Sequence, residues 1–397
     1  MDESLIKKSS SLEKLILSSL FISHFSIYPS QLVITVLLSE IAQEHGVSLG
    51  VSAQIRTFSL VVSLVSSLIL GVISMRYGHK YLLMAGLIII SISALGCGLS
   101  QSYISLIAFY LLTGLGSSIV SPMATTLVGE HFTDKRAWAL GWFGAAGGIS
   151  HMVGSQVVGY LAEISGWRLP FLAYSLPIAL LSTIFVKIYL PTKHIKTQKT
   201  DEDVFRGYRK VLSDRSAVAC LIGIIIAAAM WQGIYFFSVS FLKTELAVSP
   251  IFAATIYSIM SLLFTLGSLS SSKIINKIGR KRSVLLGLAV LSIFTVLYTN
   301  IPVLSIVMIC NILGCFFGAV RNMSSIGLSL EQVPEARGTM MSLNSASQTI
   351  GSVLGTGIGG FIIIFYGWST LGLVFGVLGA LSATIYLLYT KDPSRDD

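Results

Sequence analysis

Charge is what this chain has least of. Asp, Glu, Lys and Arg make up 11% of its 397 residues, and apolar residues make up 53%. An ordinary soluble domain is roughly one-quarter charged, so a water-soluble globular protein is excluded. Acids are scarcer than bases, 18 against 27. All of them fall in loops or at the ends of predicted helices, with Glu40, Glu130, Glu163 and Glu331 nearest the apolar stretches. A mid-membrane carboxylate, as proton site or as anchor for a cation, is therefore not expected. The four cysteines (Cys97, Cys220, Cys310, Cys315) show neither pairing nor metal-ligand spacing and read as packing residues. No phosphate-cradling glycine loop is present, which argues against ATP as an energy source. No nucleophile–base or metal-ligand cluster is present either, so neither an enzyme nor a bound cofactor is expected.

Long charge-free stretches take the place of charge. A helix needs about 20 apolar residues to cross hydrocarbon. Stretches of that kind cover 15–39, 57–75, 137–162, 169–186, 216–242 and 246–272. Three longer ones, 81–129, 283–320 and 338–390, are interrupted near Ser100-Gln101-Ser102-Tyr103, Asn300-Ile301-Pro302 and Tyr366-Gly367-Trp368-Ser369. Counting each of these as two gives twelve spans. The expectation is an all-α polytopic membrane protein whose partners are the lipid bilayer, a small-molecule substrate and, as a coupling ion, protons.

Lys and Arg orient the spans. With a cytoplasmic N-terminus, inner segments hold 23 of the 27 basic residues, and outer loops hold only Arg168 and Lys243. Cytoplasmic loops carry such an excess, so both termini are expected inside. Arg56 and Arg321 are left within spans. The net charge of +9 follows from this bias and needs no nucleic acid. Basic residues precede the first apolar run, but that run exceeds the roughly 7–15 residues of a signal sequence core, so a retained first helix is expected. The only sizeable polar segment, 191–215, reads as a solvated cytoplasmic linker with room for a surface helix. It divides the chain into bundles 1–190 and 216–397.

The two halves are copies. At a constant offset of 201, Gly78 falls on Gly279, Lys80 on Lys281, Gly86 on Gly287, Glu130 on Glu331, Arg136 on Arg337, and Gly166-Trp167 on Gly367-Trp368. Matches in Gly, Trp and charge at one offset are not explained by shared composition. A parallel duplication in a membrane chain points to a carrier working between its halves. Glycines concentrate in the fifth and eleventh spans, where small residues let helices approach or slide.

The loop after the second span runs Gly71-Val-Ile-Ser-Met75-Arg76-Tyr-Gly78-His79-Lys80. After the eighth comes Ser272-Lys273-Ile-Ile-Asn276-Lys277-Ile-Gly279-Arg280-Lys281-Arg282. Both resemble the cytoplasmic loop signature of the major facilitator superfamily, Gly-x-x-x-Asp-Arg-x-Gly-Arg-Arg/Lys. With twelve spans and a 6+6 repeat, the resemblance covers essentially the whole chain. It implies two pseudo-symmetric six-helix bundles, alternating access and a monomer; from the chain's compactness a multi-pass plasma-membrane location is expected. It also assigns Gly71, Arg76, Gly78, Lys80, Asn276, Lys277, Gly279 and Arg280 to a gate. Glycine in such a loop is expected to supply positive φ. Met75 stands at the acidic position of the first copy and Asn276 at that of the second, so a weaker gate contact is expected in the first half. Asn276 retains the ability to cap a helix. Two marks of proton-coupled and drug antiporters are missing: Tyr110 stands where an Arg is common, and Gly154-Ser155 where Gly-Pro is common.

The resemblance places a central cavity among the first, fourth, seventh and tenth spans, helped by the second, fifth, eighth and eleventh. Polar residues at helical spacing there are candidates. They are His24, Tyr28 and Gln31 in the first span; His151 in the fifth; Trp231, Gln232 and Tyr235 in the seventh; Asn311, Arg321 and Asn322 in the tenth; and Asn344 and Gln348 in the eleventh. Each has a bland alternative, an interhelical hydrogen bond or an interfacial ring. Arg321 is the sharpest, about ten residues from its helix end or some 15 Å by helical rise. A charge there costs at least ~2.5 kcal/mol on insertion scales. With no acid to balance it, Arg321 predicts an organic anion as substrate. Proton-coupled efflux of drugs or sugars is the alternative; the energy is expected from a gradient, either the substrate's own or protons via His24, His151 or the substrate's acid group. Arg56 reads equally as an outer-gate residue or a snorkelling one.

Overall fold

The computed structural model describes residues 3–74, 77–132, 135–191 and 201–392. Met75 and Arg76 of the first loop, and 192–200 of the linker, lie outside the described residues. Sixteen α-helices and no strand are found among those described. Eleven helical stretches there are long and apolar enough to cross a membrane. The remaining long helix, Arg136–Ser165, has 30 residues rich in Gly, Ser and Trp and supplies the twelfth span.

The chain divides into two compact units, one of 1–46 with 58–197 and the other of 47–57 with 198–397. The first unit holds α1 (Glu3–Phe25), α2 (Tyr28–Val36), α3 (Leu38–Glu44), most of α4 (Leu49–Ile73), α5 (His79–Leu99), α6 (Tyr103–His131), α7 (Arg136–Ser165) and α8 (Leu176–Tyr189). The second holds α9 (Asp201–Ser213), α10 (Arg215–Tyr235), α11 (Ser238–Thr244), α12 (Pro250–Ile278), α13 (Arg280–Asn300), α14 (Leu304–Gln332), α15 (Arg337–Phe365) and α16 (Gly367–Tyr389). The surface helix for which the linker had room is α9.

Each unit repeats the packing of the other. In the first, α5 packs on α6 and α8, and α1 and α2 pack on α7; in the second, α13 packs on α14 and α16, and α10 packs on α15. Each surrounds its own apolar core. Leu83, Leu87, Ile90 and Val120 lie in the first, and Leu288, Leu328, Phe375 and Tyr386 in the second.

Two expected features change. The first span is not one helix, because it breaks at Ser26-Ile27 between α1 and α2. Pro29 lies in the first turn of α2 and has no N–H to give to Phe25, so the α1 ladder cannot continue through it. The sixth span opens with a π-helical turn, Phe171–Ser175, bounded by Pro170. The glycine expectation is half right. Gly279 has φ +89°, whereas Gly78 is extended at φ −62°. The repeated Gly166 and Gly367 share φ values of +73° and +76° and end the helices before them.

Candidate functional site

Residues of the two repeated loops form matching pairs within each unit. His79 Nδ1 lies 2.5 Å from Glu130 Oε1, and Arg280 pairs with Glu331 at the equivalent positions. Lys80 Nζ donates to the carbonyl oxygens of Lys187 and Leu190 at the end of α8, and Lys281 Nζ donates to that of Leu387 in α16. A cation thus ties one helix start to a neighbouring helix end in each copy, where exposed carbonyls favour positive charge. The partners Glu130 and Glu331 were visible at the repeat offset, but their pairing with positions 79 and 280 was not read from it. Gly71 lies in the last turn of α4. Asn276 and Lys277 are exposed in the last turn of α12. Asn276 caps nothing: the N-cap of α13 is Gly279, without a side-chain bond.

In the first unit, three sequence candidates come together. His24 Nε2 lies 3.0 Å from the Tyr28 hydroxyl. The Tyr28 ring centroid lies 4.8 Å from that of His151. His151 Nδ1 donates to the Gly147 carbonyl oxygen at 2.9 Å. That oxygen only accepts, so the proton of a neutral His151 is on Nδ1 and its basic nitrogen is Nε2. His24 is 9% exposed, stacks on Phe143 with centroids 3.9 Å apart, and has no partner for Nδ1. Gln31, one turn on, accepts from the Thr35 hydroxyl through its carbonyl.

In the second unit, Asn311, Gly314, Gly318 and Arg321 share one face of α14, and all four are buried in the bundle. Trp231 and Tyr235 stack at 5.1 Å and 15°, with Phe264 at 5.5 Å from Trp231. Both are half-buried, as is Gln232. Trp231 lies flat on Gly318, where a Cβ would meet its ring at 2.4 Å. Beside this stack, Tyr235, Phe294, Tyr298 and Asn311 help line a cavity of about 30 Å³, room for a water or two. Asn311 Nδ2 turns back to the Val307 carbonyl at 3.0 Å.

Arg321 follows Gly318 by one turn. It is 5% exposed, its Nε has no hydrogen-bond partner, and no carboxylate pairs with it among the described residues. Its Cβ packs where a Cβ on Gly287 would lie, 2.6 Å away, and its electrostatic neighbour is Tyr386. The equivalent residue of the first unit is Val120, packed on Gly86. A core position of one copy has thus become a cation in the other.

Asn344 and Gln348 are committed elsewhere. Gln348 Nε2 donates to Asn344 Oδ1 at 2.7 Å, and Asn344 Nδ2 to Ser329 Oγ at 2.8 Å. Ser325 and the Tyr386 hydroxyl, 2.8 Å apart, extend this polar seam. Asn322 is half-buried beside Arg321. Arg56 is half-buried near the start of α4, next to Thr57, whose hydroxyl donates to Thr356 at 3.0 Å within the second unit.

Twelve apolar helices in two repeated bundles, with cation-tied loops and polar clusters inside the spans, define a polytopic membrane carrier. The family model of the Major Facilitator Superfamily matches residues 20–298 and 220–397. The chain belongs to that superfamily of transporters. YceJ, an MFS-type transporter of Bacillus subtilis (strain 168), is 26% identical over 340 residues, covering 82% of this chain and 84% of that one. Multidrug resistance protein 2 of the same organism is 25% identical over 297 residues, 72% and 73% of the two chains. Among solved structures, the nucleoside transporter NupG aligns with a TM-score of 0.79 at 16% identity, covering 94% of this chain and 99% of that one. A bacterial homolog of the human lysosomal transporter Spinster, inward-facing and unoccupied, aligns at 0.77 with 16% identity, covering 95% and 96%. These likenesses extend to the fold.

Proposed function

We propose that this transporter carries a small aromatic organic anion by alternating access, as a single chain in the plasma membrane with both termini cytoplasmic. The observation that supports the anion is Arg321, a buried cation with no carboxylate partner among the described residues, one turn from the ring of Trp231 on Gly318. A guanidinium offers planar donors to a carboxylate or sulfonate, and an indole offers a face for an aromatic ring. The Lys and Arg asymmetry supports the orientation.

Thermal stability of detergent-purified protein, titrated with benzenesulfonate and salicylate, tests this reading, because binding raises apparent stability once ligand exceeds Kd. Stabilisation is expected, with affinity reduced by about tenfold or more in Arg321→Gln and in Trp231→Ala, each decade being ~1.4 kcal/mol. Equal affinity in Arg321→Gln sinks the anion reading.

A second reading, efflux of hydrophobic drugs, is favoured by the half-buried stack of Trp231, Tyr235 and Phe264. Such rings bind lipophilic cations through their faces. Relatives bearing the name multidrug resistance protein add to it. Stabilisation by ethidium that persists in Arg321→Gln and vanishes in Trp231→Ala selects this reading.

A further inference from the structure

We propose that His24, Tyr28 and His151 form a one-proton carrier inside the first unit, which couples solute movement to a proton gradient; this deepens the transport reading and rests on it. The three side chains come from α1, α2 and α7. The Tyr28 hydroxyl is hydrogen-bonded to His24 Nε2 at 3.0 Å, and its ring lies against that of His151. Gly147 makes this possible. A Cβ there would lie 3.0 Å from the Tyr28 hydroxyl, and the carbonyl of the same residue holds His151 Nδ1. The phenol therefore bonds one imidazole through its hydroxyl and lays its ring beside the other.

The cluster holds a single proton. Two imidazolium rings this close repel strongly in a low-dielectric interior. No Asp or Glu lies in the middle of any span to offset a second charge. A proton arriving from water makes one ring a double donor, and the reverse step returns that proton to water.

The other titratable groups on the packed elements have contacts of their own. On α6, His131 turns back to the Leu127 carbonyl, Glu130 is held by His79, and Tyr110 is buried. On α8, Lys187 and Tyr189 occupy the last turn. Tyr174 of the π-turn faces α7 at Gly154, one turn beyond His151. Glu13 of α1 pairs with Lys135 ahead of α7. Glu40 of α3 bonds Ser39, and Glu44 pairs with Arg168.

Coupling follows from where the helix breaks. The Ser26-Ile27 break separates His24 from Tyr28, so their hydrogen bond spans a joint in the chain. Breaks of this kind are where helices bend. Gaining or losing the proton changes which of the two donates, and with it the bend that the bond favours.

Two measurements test the proposal. The chain has six histidines, so ring signals of ¹³C-histidine-labelled protein can be assigned by substitution and followed against pH. One proton shared between His24 and His151 is expected, with the sharing lost in Tyr28→Phe while its melting temperature stays near wild type. Two rings that each take up a full proton independently overturn the proposal. In proteoliposomes with an imposed pH gradient, protons and benzenesulfonate or ethidium are counted together. A proton-to-solute ratio near unity should collapse toward zero in His24→Gln and in His151→Gln; an unchanged ratio overturns the coupling role. If neither probe moves with the wild type while the rings share a proton, the transport reading fails for those solutes and the proton site stands.

Discussion

His79 Nδ1 lies 2.5 Å from Glu130 Oε1, and 201 residues later Arg280 meets Glu331 in the same place. Duplication kept the geometry and changed the cation. An imidazole is charged only when protonated, whereas a guanidinium always is. The second pair is half-buried, with side chains 30% and 26% exposed, so it falls between surface and buried ion pairs. Glu331→Gln is expected to cost about 1–2 kcal/mol, between the surface and interior ranges. Glu130→Gln at neutral pH should cost less. Apparent melting temperatures of the two variants in detergent check the order; an equal or larger loss in Glu130→Gln contradicts it.

Trp167 Nε1 and Arg168 both donate to the Glu44 carboxylate, at 2.6 and 2.5 Å, on the loop side of the first unit. Partial burial pushes the Glu44 pKa up, but the bonds from Arg168 and Trp167 and the Arg168 charge outweigh it and leave it below the usual value. A depressed carboxylate pKa gives stability that is present above the unfolded-state pKa. That stability is lost as pH falls through the lower folded-state pKa. The group is substantially exposed, so the effect is small. The difference in tryptophan fluorescence between wild type and Glu44→Gln should vanish on acidification, with a midpoint below that of a free glutamate. A midpoint at or above the free value contradicts it.

Two glycines of α15 should answer the same substitution with opposite signs. A Cβ on Gly355 would fall 2.3 Å from the Ala229 carbonyl oxygen of α10, which backbone cannot easily yield, whereas one on Gly338 meets nothing within 4 Å. Gly355→Ala is expected to destabilise by about 1–3 kcal/mol through overpacking. Gly338→Ala should stabilise by up to about 1 kcal/mol, since alanine loses less entropy in a helix. Melting temperatures compared side by side decide it.

Gly166 and Gly367 hold φ values of +73° and +76° with open space where a Cβ would be. Their requirement is conformational, not steric contact with neighbours. Substituting alanine at either should cost about 1–3 kcal/mol, the penalty of a positive-φ backbone that an L-residue rarely adopts. Parallel losses of melting temperature in both variants are expected; a neutral result at either would show that the turn relaxes.

Much of the fold could be read from the chain because the bilayer simplifies the problem. Backbone groups in hydrocarbon must be satisfied internally, so an apolar run of sufficient length is a helix. Helix interruptions were harder. Pro29 lies in a stretch without charge, and the break it causes at Ser26-Ile27 does not alter hydropathy. The candidate site was legible as residue types at helical spacing, and the stripe through Asn311, Gly318 and Arg321 does share one face of α14. Which neighbour that face meets was not legible. Asn344 and Gln348 looked equally suited to a ligand, yet they bond each other and Ser329. Phe143 on His24 and Gly287 under Arg321 lie too far away in sequence for spacing to reveal.

By itself, the sequence determined the number of spans, their repeat at an offset of 201, the bias of basic residues toward one side, and the absence of acid from the middle of the spans. These are one-dimensional properties, set by composition along the chain and by what a membrane admits. Tertiary structure decided which cations find partners and which do not. It paired positions 79 and 280 with their glutamates and left Arg321 buried without one among the described residues. It also drew His24, Tyr28 and His151 together over Gly147. Those outcomes depend on distances of a few ångströms between helices far apart in sequence, and only packing sets such distances.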